Sequence, residues 1–144
     1  MDDKDSRILD ELSRNSRQST ALISRSTGIP RVTVHDRLDK LKKNGVIKRF
    51  TVELDYAKLG LPVTALALVT YDRSANLDQH EVARKIVGLS GVYEVQIISG
   101  QWDFLVKIRA ASINDVGMLI IDNIRKLEGV NQTLTMAVFE TIKE

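Results

Sequence analysis

The chain has 144 residues, 43% of them hydrophobic and 28% charged, with a formal net charge of +2 and no cysteine. That length suits one medium domain or two small ones. The missing cysteines exclude disulfides and thiolate metal sites, His35 and His80 alone are a thin basis for a histidine metal site, and no apolar run approaches the roughly 20 residues of a membrane helix. Residues 1–50 hold 12 Lys/Arg against 7 Asp/Glu, whereas residues 51–144 hold 9 against 12. A basic first segment followed by an acidic remainder points to nucleic acid at one end and another task at the other. The polar start M-D-D-K-D is no secretory signal and is compatible with a cytoplasmic protein.

Lys4 to Arg14 carries Ile8, Leu9 and Leu12 at helical spacing, with Asp2, Asp3 and Asp5 at the positive end of the helix dipole. Ser19 or Thr20 can cap a second helix that presents Leu22 and Ile23. Gly28 can then adopt the positive φ of a sharp turn. Ser24, four residues before it, is small, and Val34, six after it, is apolar, as two steeply crossing helices require. Pro30 sits where a third helix starts and a missing N–H is harmless. Val34, Leu38 and Leu41 form the inner stripe of that helix, and Gly45 ends it. V-I-K-R-F-T-V-E-L then alternates like a strand, with Lys48 and Arg49 near its start. Residues 1–54 therefore form the first expected domain, and residues 55–62, punctuated by Gly60 and Pro62, a connector.

The second domain, residues 63–144, alternates strands and helices. Val63–Tyr71 reads as an apolar strand and Leu77–Val87 as a helix with Leu77, Val82 and Ile86 inward. Val92–Ser99 and Trp102–Ala110, separated by two residues, read as a hairpin. Ser112 caps a last helix whose inner stripe is Ile113, Val116, Ile120, Ile124 and Leu127, and Asp115 suggests a capping box. Val130 to Ile142 is the final alternating strand. Leu89-Ser90-Gly91-Val92 and Leu127-Glu128-Gly129-Val130 mark the same helix-to-strand passage twice. The order is that of the ferredoxin-like βαββαβ plan, an α+β fold with helices on one face of an antiparallel sheet. The apolar content of the other face suggests that a second copy covers it.

On the third helix Arg31, Thr33, His35, Arg37 and Lys40 lie off the inner stripe. Arginine can pair bidentately with guanine and threonine can contact a thymine methyl, so Arg31, Thr33 and Arg37 are expected base readers. Lys42, Lys43, Lys48 and Arg49 suit phosphates. In Gly100-Gln101-Trp102-Asp103, a glycine turn with open N–H groups beside a carboxylate could hold both ends of a zwitterionic amino acid. From chemistry alone an ordinary turn, with Asp103 satisfying local N–H groups, is the simpler account. Trp102 suits packing, and Thr133 and Thr135 suit a structural strand. No phosphate-cradling loop, nucleophile elbow or metal-spaced histidine pair is present, and nothing calls for a cofactor.

These stretches together resemble the Lrp/AsnC, or feast/famine, family. The resemblance rests on D-S-R-I-L-D-E-L at Asp5–Leu12, I-S-R-S-T-G-I-P at Ile23–Pro30, R-L-D-K-L-K-K-N-G-V-I-K-R-F at Arg37–Phe50, L-G at 59–60, G-Q-W-D at 100–103 and G-V-N-Q-T-L-T at Gly129–Thr135. It implies an N-terminal winged helix-turn-helix, a C-terminal ferredoxin-like domain for amino-acid response, and homodimers that assemble into larger even-numbered oligomers. It also implies that Gly100, Gln101, Trp102 and Asp103, with Thr133 and Thr135, form an effector site, reversing the simpler account of that turn. Pro30 departs from the serine cap of many members. Tetrapyrrole decarboxylases resemble the same two-domain plan, which makes an enzyme with His80 and Arg84 toward carboxylates the alternative; a low-specificity DNA-coating protein is another.

Overall fold

The computed structural model describes residues 1–142 and divides into two compact units, Met1–Glu53 and Leu54–Glu144. The first unit has three helices: α1 (Asp3–Arg14), α2 (Thr20–Thr27) and α3 (Arg31–Lys43). Asp2 caps α1 in a reciprocal box with Asp5, each side chain accepting from the other's backbone N–H at 3.0 Å. This satisfies two of the N–H groups that every helix start leaves without a partner. Ser19 caps α2 by accepting from Leu22 N–H. Gly28 ends α2 in the left-handed region, at φ 68°, and its N–H donates to Ser24 O at 2.9 Å. Pro30 stands at the cap of α3 without a side-chain hydrogen bond, and helix N-termini tolerate that.

Ile8, Ile23, Ile29, Val34 and Leu38 make the core of this unit, with Leu12 and Ile47 against it. Leu22, expected beside Ile23, is exposed instead. Neighbouring helix positions differ by about 100°, so only one of the two meets the core. Arg7 of α1 donates to the carbonyl of Thr27, at the end of α2.

The alternating segment after Gly45 does not form the expected strand. Residues 46–54 join no ladder among the described residues. Alternation creates a two-faced ribbon, but a strand also needs a neighbouring backbone, and the rest of this unit is helical. Ile47 N–H bonds to Leu41 O and its side chain joins the core, while Val46, Phe50 and Val52 stay exposed.

The second unit contains β1 (Val63–Tyr71), α4 (Gln79–Val87), β2 (Val92–Ile97), β3 (Phe104–Ala110), α5 (Ile113–Met118) and β4 (Val130–Val138). The sheet order is β2-β3-β1-β4 with every pairing antiparallel, the βαββαβ arrangement expected. Ala65, Ala67 and Val69 of β1 and Phe104, Val106 and Ile108 of β3 lie on one face. There they meet Val82 and Ile86 of α4 and Val116, Ile120 and Ile124 from the α5 region. The opposite face, with Leu66 and Leu68 opposite Met136 and Leu134, carries no helix; Leu134 and Met136 are 46% and 40% exposed.

Several boundaries differ from expectation: α4 starts at Gln79 rather than Leu77, β2 ends at Ile97 rather than Ser99, and β3 starts at Phe104 rather than Trp102. Ser112 caps α5 and bonds to Asp115, but the α-helix ends at Met118 and continues as a wider π turn (Leu119–Asn123) and then a tighter 3₁₀ turn (Ile124–Lys126). Val116, Ile120 and Ile124 of the expected stripe are buried, while Ile113, the first residue of the helix, is 59% exposed. β4 ends at Val138, short of the expected Ile142. At Gly129 φ is +89° and an added Cβ would lie 2.4 Å from Cγ2 of Val82. Gly129→Ala is therefore expected to destabilise the protein by about 3 kcal/mol, read as a lower urea midpoint with unchanged m-value.

Candidate DNA-binding helix and effector site

With Val34, Leu38 and Leu41 buried, α3 turns its other side to solvent. Lys40, Lys43, Lys48 and Arg49 are exposed and form no ion pair among the described residues. Lys42 lies 3.6 Å from Asp39 and 5.6 Å from the centre of the Phe50 ring. His35 is exposed, its Nδ1 3.5 Å from Asp39. Thr33 is half-buried. Arg31 donates from Nε to Thr20 Oγ1 at 3.3 Å, which ties the start of α3 to the start of α2.

Arg37 is placed differently from the other cations. Its side chain is only 24% exposed, and Nη1 contacts Asp2 Oδ1 at 2.6 Å and Asp5 Oδ1 at 2.8 Å. The carboxylates that cap α1 thus also hold α3, with charge-assisted hydrogen bonds shorter than neutral ones. In this arrangement Arg37 clamps α3 to α1 rather than projecting freely into solvent. Its own i, i+4 spacing carries no sign of this, because the partners lie 32 and 35 residues away.

The clamp is titratable. The hydrogen bond from Arg37, and next the Asp5 N–H, hold the Asp2 carboxyl below its ordinary value. The Asp2 N–H, and next Arg37, do the same for Asp5. The same contacts raise Arg37 further, so it stays protonated. A carboxyl lowered in the folded state adds stability above its unfolded pKa of about 4 and loses it as pH falls through the folded value.

The Gly100–Asp103 turn joins β2 to β3. Gly100 has φ +125°, a conformation that favours glycine, with open space where a Cβ would stand. Gln101 is exposed and Trp102 half-buried. Asp103 N–H donates to Val69 O at 3.0 Å, and Asp103 Oδ2 accepts from Tyr71 N–H at 2.8 Å. One carboxylate oxygen therefore satisfies the backbone of β1, as the simpler account of this turn requires. The other accepts no hydrogen bond among the described residues. Thr133 pairs with Val69 from the other side of β1, about 10 Å from β3 by strand spacing. Its Oγ1 accepts from Arg125 Nε at 2.8 Å. Thr135, opposite Ala67, lines a groove of about 340 Å³ between α5 and β4, with Ile113, Ile121 and Arg125. The turn and the threonines thus flank β1 at one end of the sheet, without sharing a contact in a single chain.

His80 and Arg84 are exposed on α4. Among the described residues no group of three His, Asp or Glu side chains is placed to hold a metal ion, and no helix is long and apolar enough to cross a membrane.

A glycine-turned helix pair with a solvent-facing cationic helix, followed by a ferredoxin-like unit, defines the class of helix-turn-helix transcription regulators with a ligand-binding domain. Residues 1–48 match the family model for winged helix-turn-helix DNA-binding, and residues 64–144 match that for the Lrp/AsnC ligand binding domain. An uncharacterized HTH-type transcriptional regulator of Pyrococcus abyssi is 46% identical over 144 residues, covering 100% of this chain and 96% of that one. The structure of LrpC from B. subtilis superposes with a TM-score of 0.87 at 29% identity, covering 99% and 97%. A transcriptional regulator from Neisseria meningitidis, solved with L-Met, superposes with a TM-score of 0.93 at 19% identity, covering 100% and 93%, a likeness of fold. The chain belongs to the Lrp/AsnC family of transcription regulators. These relatives are regulators, not enzymes, which removes the decarboxylase alternative.

Replacing Asp2 and Asp5 together by asparagine is expected to lower the thermal midpoint at pH 7. The deficit should shrink as pH falls from about 4 through the lower pKa values of the folded carboxyls, where the wild type loses that stabilisation. A deficit independent of pH would show that the charges of these carboxylates do not contribute to stability.

Proposed function

We propose that the protein is a sequence-specific cytoplasmic regulator that binds double-stranded DNA as a homodimer and responds to an amino acid or related small metabolite. The observation that supports it most is that Lys40 and Lys43 of α3, and Lys48 and Arg49 in the segment that follows, are exposed and form no ion pair among the described residues. Residues 1–54 would serve DNA binding, 55–62 connection, and 63–144 effector binding and assembly. The helix-free face of the sheet, centred on Leu66, Leu68, Leu134 and Met136, suits burial against a second copy, and larger even-numbered assemblies would build on that pair. Two copies of α3 would then read half-sites about one helical turn, or a multiple of it, apart.

Lys48 and Arg49 are assigned to phosphates together with Lys42 and Lys43; Arg31 and Thr33 lie at the base-proximal start of the helix. Lys48→Ala is expected to weaken all sequences similarly and to lower the slope of log K against log salt by about one unit. A changed base preference in this variant would reject the phosphate assignment.

The effector site would combine the open Gly100 turn, Gln101, Trp102 and the second oxygen of Asp103 from one chain. Thr133 and Thr135, across β1, would serve the same ligand only if a neighbouring copy brought its own set within reach, which would link assembly to binding. The L-Met bound by the Neisseria meningitidis regulator makes methionine a first probe. Calorimetry with pooled and then single amino acids is expected to find a ligand for the wild type, and Asp103→Ala to weaken it at least tenfold while retaining the wild-type circular dichroism spectrum. Equal binding by both proteins would place the site elsewhere.

A further inference from the structure

α3 carries a second stripe. Val34, Leu38 and Leu41 are buried, and at about 100° per residue Val32, Asp36, Asp39 and Lys43 fall on the opposite side of the helix. Val32 is 73% exposed, and the Asp36 side chain is 65% exposed. Neither residue helps the helix: valine is stiff at χ1 and aspartate competes with the helical backbone, so both rank low in helix propensity. Neither buries itself in this unit, whose core is complete without them.

Nor does Asp36 help a general affinity for nucleic acid, because a carboxylate facing phosphates opposes binding. Asp39 is partly neutralised by Lys42 at 3.6 Å, and the Nδ1 of His35 lies 3.5 Å from it. Asp36 has only the Nδ1 of His35, at 3.8 Å, too far for a hydrogen bond. Meanwhile Arg37, which flanks this stripe, is engaged inside the unit with Asp2 and Asp5, while the exposed Arg31 makes one hydrogen bond to Thr20.

Base edges give both residues a use. A methyl-bearing side chain packs on the C5 methyl of thymine, and a carboxylate accepts from the N4 amino group of cytosine. Val32 and Asp36 are the second and sixth residues of α3, in the part of a recognition helix that reaches bases. One turn separates them, about 6 Å along the axis, or one to two base-pair steps.

We propose that Val32 and Asp36 are specificity-determining residues, Val32 contacting a thymine methyl and Asp36 accepting a hydrogen bond from cytosine N4. The proposal rests on α3 being the DNA-reading helix.

The test is selection from random duplex DNA with the full-length wild type and with the Val32→Ala, Asp36→Asn and Asp36→Ala variants, each first matched to the wild type in thermal midpoint. The wild type should enrich half-sites with a thymine and a cytosine one or two steps apart. Asp36→Asn should shift the cytosine position toward adenine, since a carboxamide pairs with adenine N6 and N7. Asp36→Ala should erase preference there and lower the ratio of specific to nonspecific affinity about tenfold, and Val32→Ala should relax the thymine position. An Asp36→Ala variant that binds every duplex more tightly with the same base preference would show a carboxylate acting by repulsion alone and overturn its role. An unchanged thymine position in Val32→Ala would overturn the role of Val32. A wild type that enriches no sequence would overturn the reading of α3 itself.

Discussion

Everything that α3 presents to a partner depends on one backbone conformation. At Gly28 the chain enters the left-handed region, closes α2 onto Ser24 and departs at an angle that brings Val34 and Leu38 against Ile8 and Ile23. A residue with a Cβ would be strained at that φ, and a continuous helix would carry the apolar residues of α3 away from the core. Once Val34, Leu38 and Leu41 are inward, the residues that remain outward are settled by helix geometry. The Asp2 and Asp5 carboxylates then take Arg37, and Thr20 takes Arg31, so the helix is held from both flanks.

In the second unit the pleat decides which residues are free to meet other molecules. Small and branched side chains of β1 lie under the helices, and the larger Leu66 and Leu68 lie on the face without helices. The close approach of Gly129 to Val82 lets the chain pass from the α5 region into β4, so the Thr133–Thr135 strand comes beside β1. β1 is thus flanked by the Asp103 turn on one side and the threonines on the other. In the proposed function the two sets would serve one ligand only when a second copy brings its own set within reach, which would link assembly to ligand response.

Much of this architecture was legible in the residues. Periodicity located all five α-helices and four strands, because a buried stripe leaves a repeat of 3.6 or 2 in the sequence. Periodicity failed where a second condition applies. The ribbon after Gly45 alternates correctly but has no neighbouring backbone, and Ile113, at the very start of α5, lies outside although Val116, Ile120 and Ile124 of the same stripe are buried. Among the site residues, Lys48 and Arg49 stand exposed as their sequence context implied. Arg37 does not, and neither Val32 nor Asp36 carries a charge pattern that marks a nucleic-acid contact in sequence, because an apolar or acidic residue on a helix surface is common for other reasons.

Local sequence by itself determined the secondary elements, their caps and the two-unit order, since hydrogen bonding and burial within a few residues are written in neighbouring side chains. It also carried enough ordered motifs to place the chain among Lrp/AsnC regulators. Only the tertiary structure decided how individual polar groups are used. Arg37 meets carboxylates more than 30 residues away, Asp103 meets the Tyr71 N–H across a strand, and Thr133 meets Arg125 from the preceding turn. An ionic side chain reports its charge in sequence, but its role depends on which opposite charge or N–H the fold brings within about 3 Å, and that distance exists only after packing.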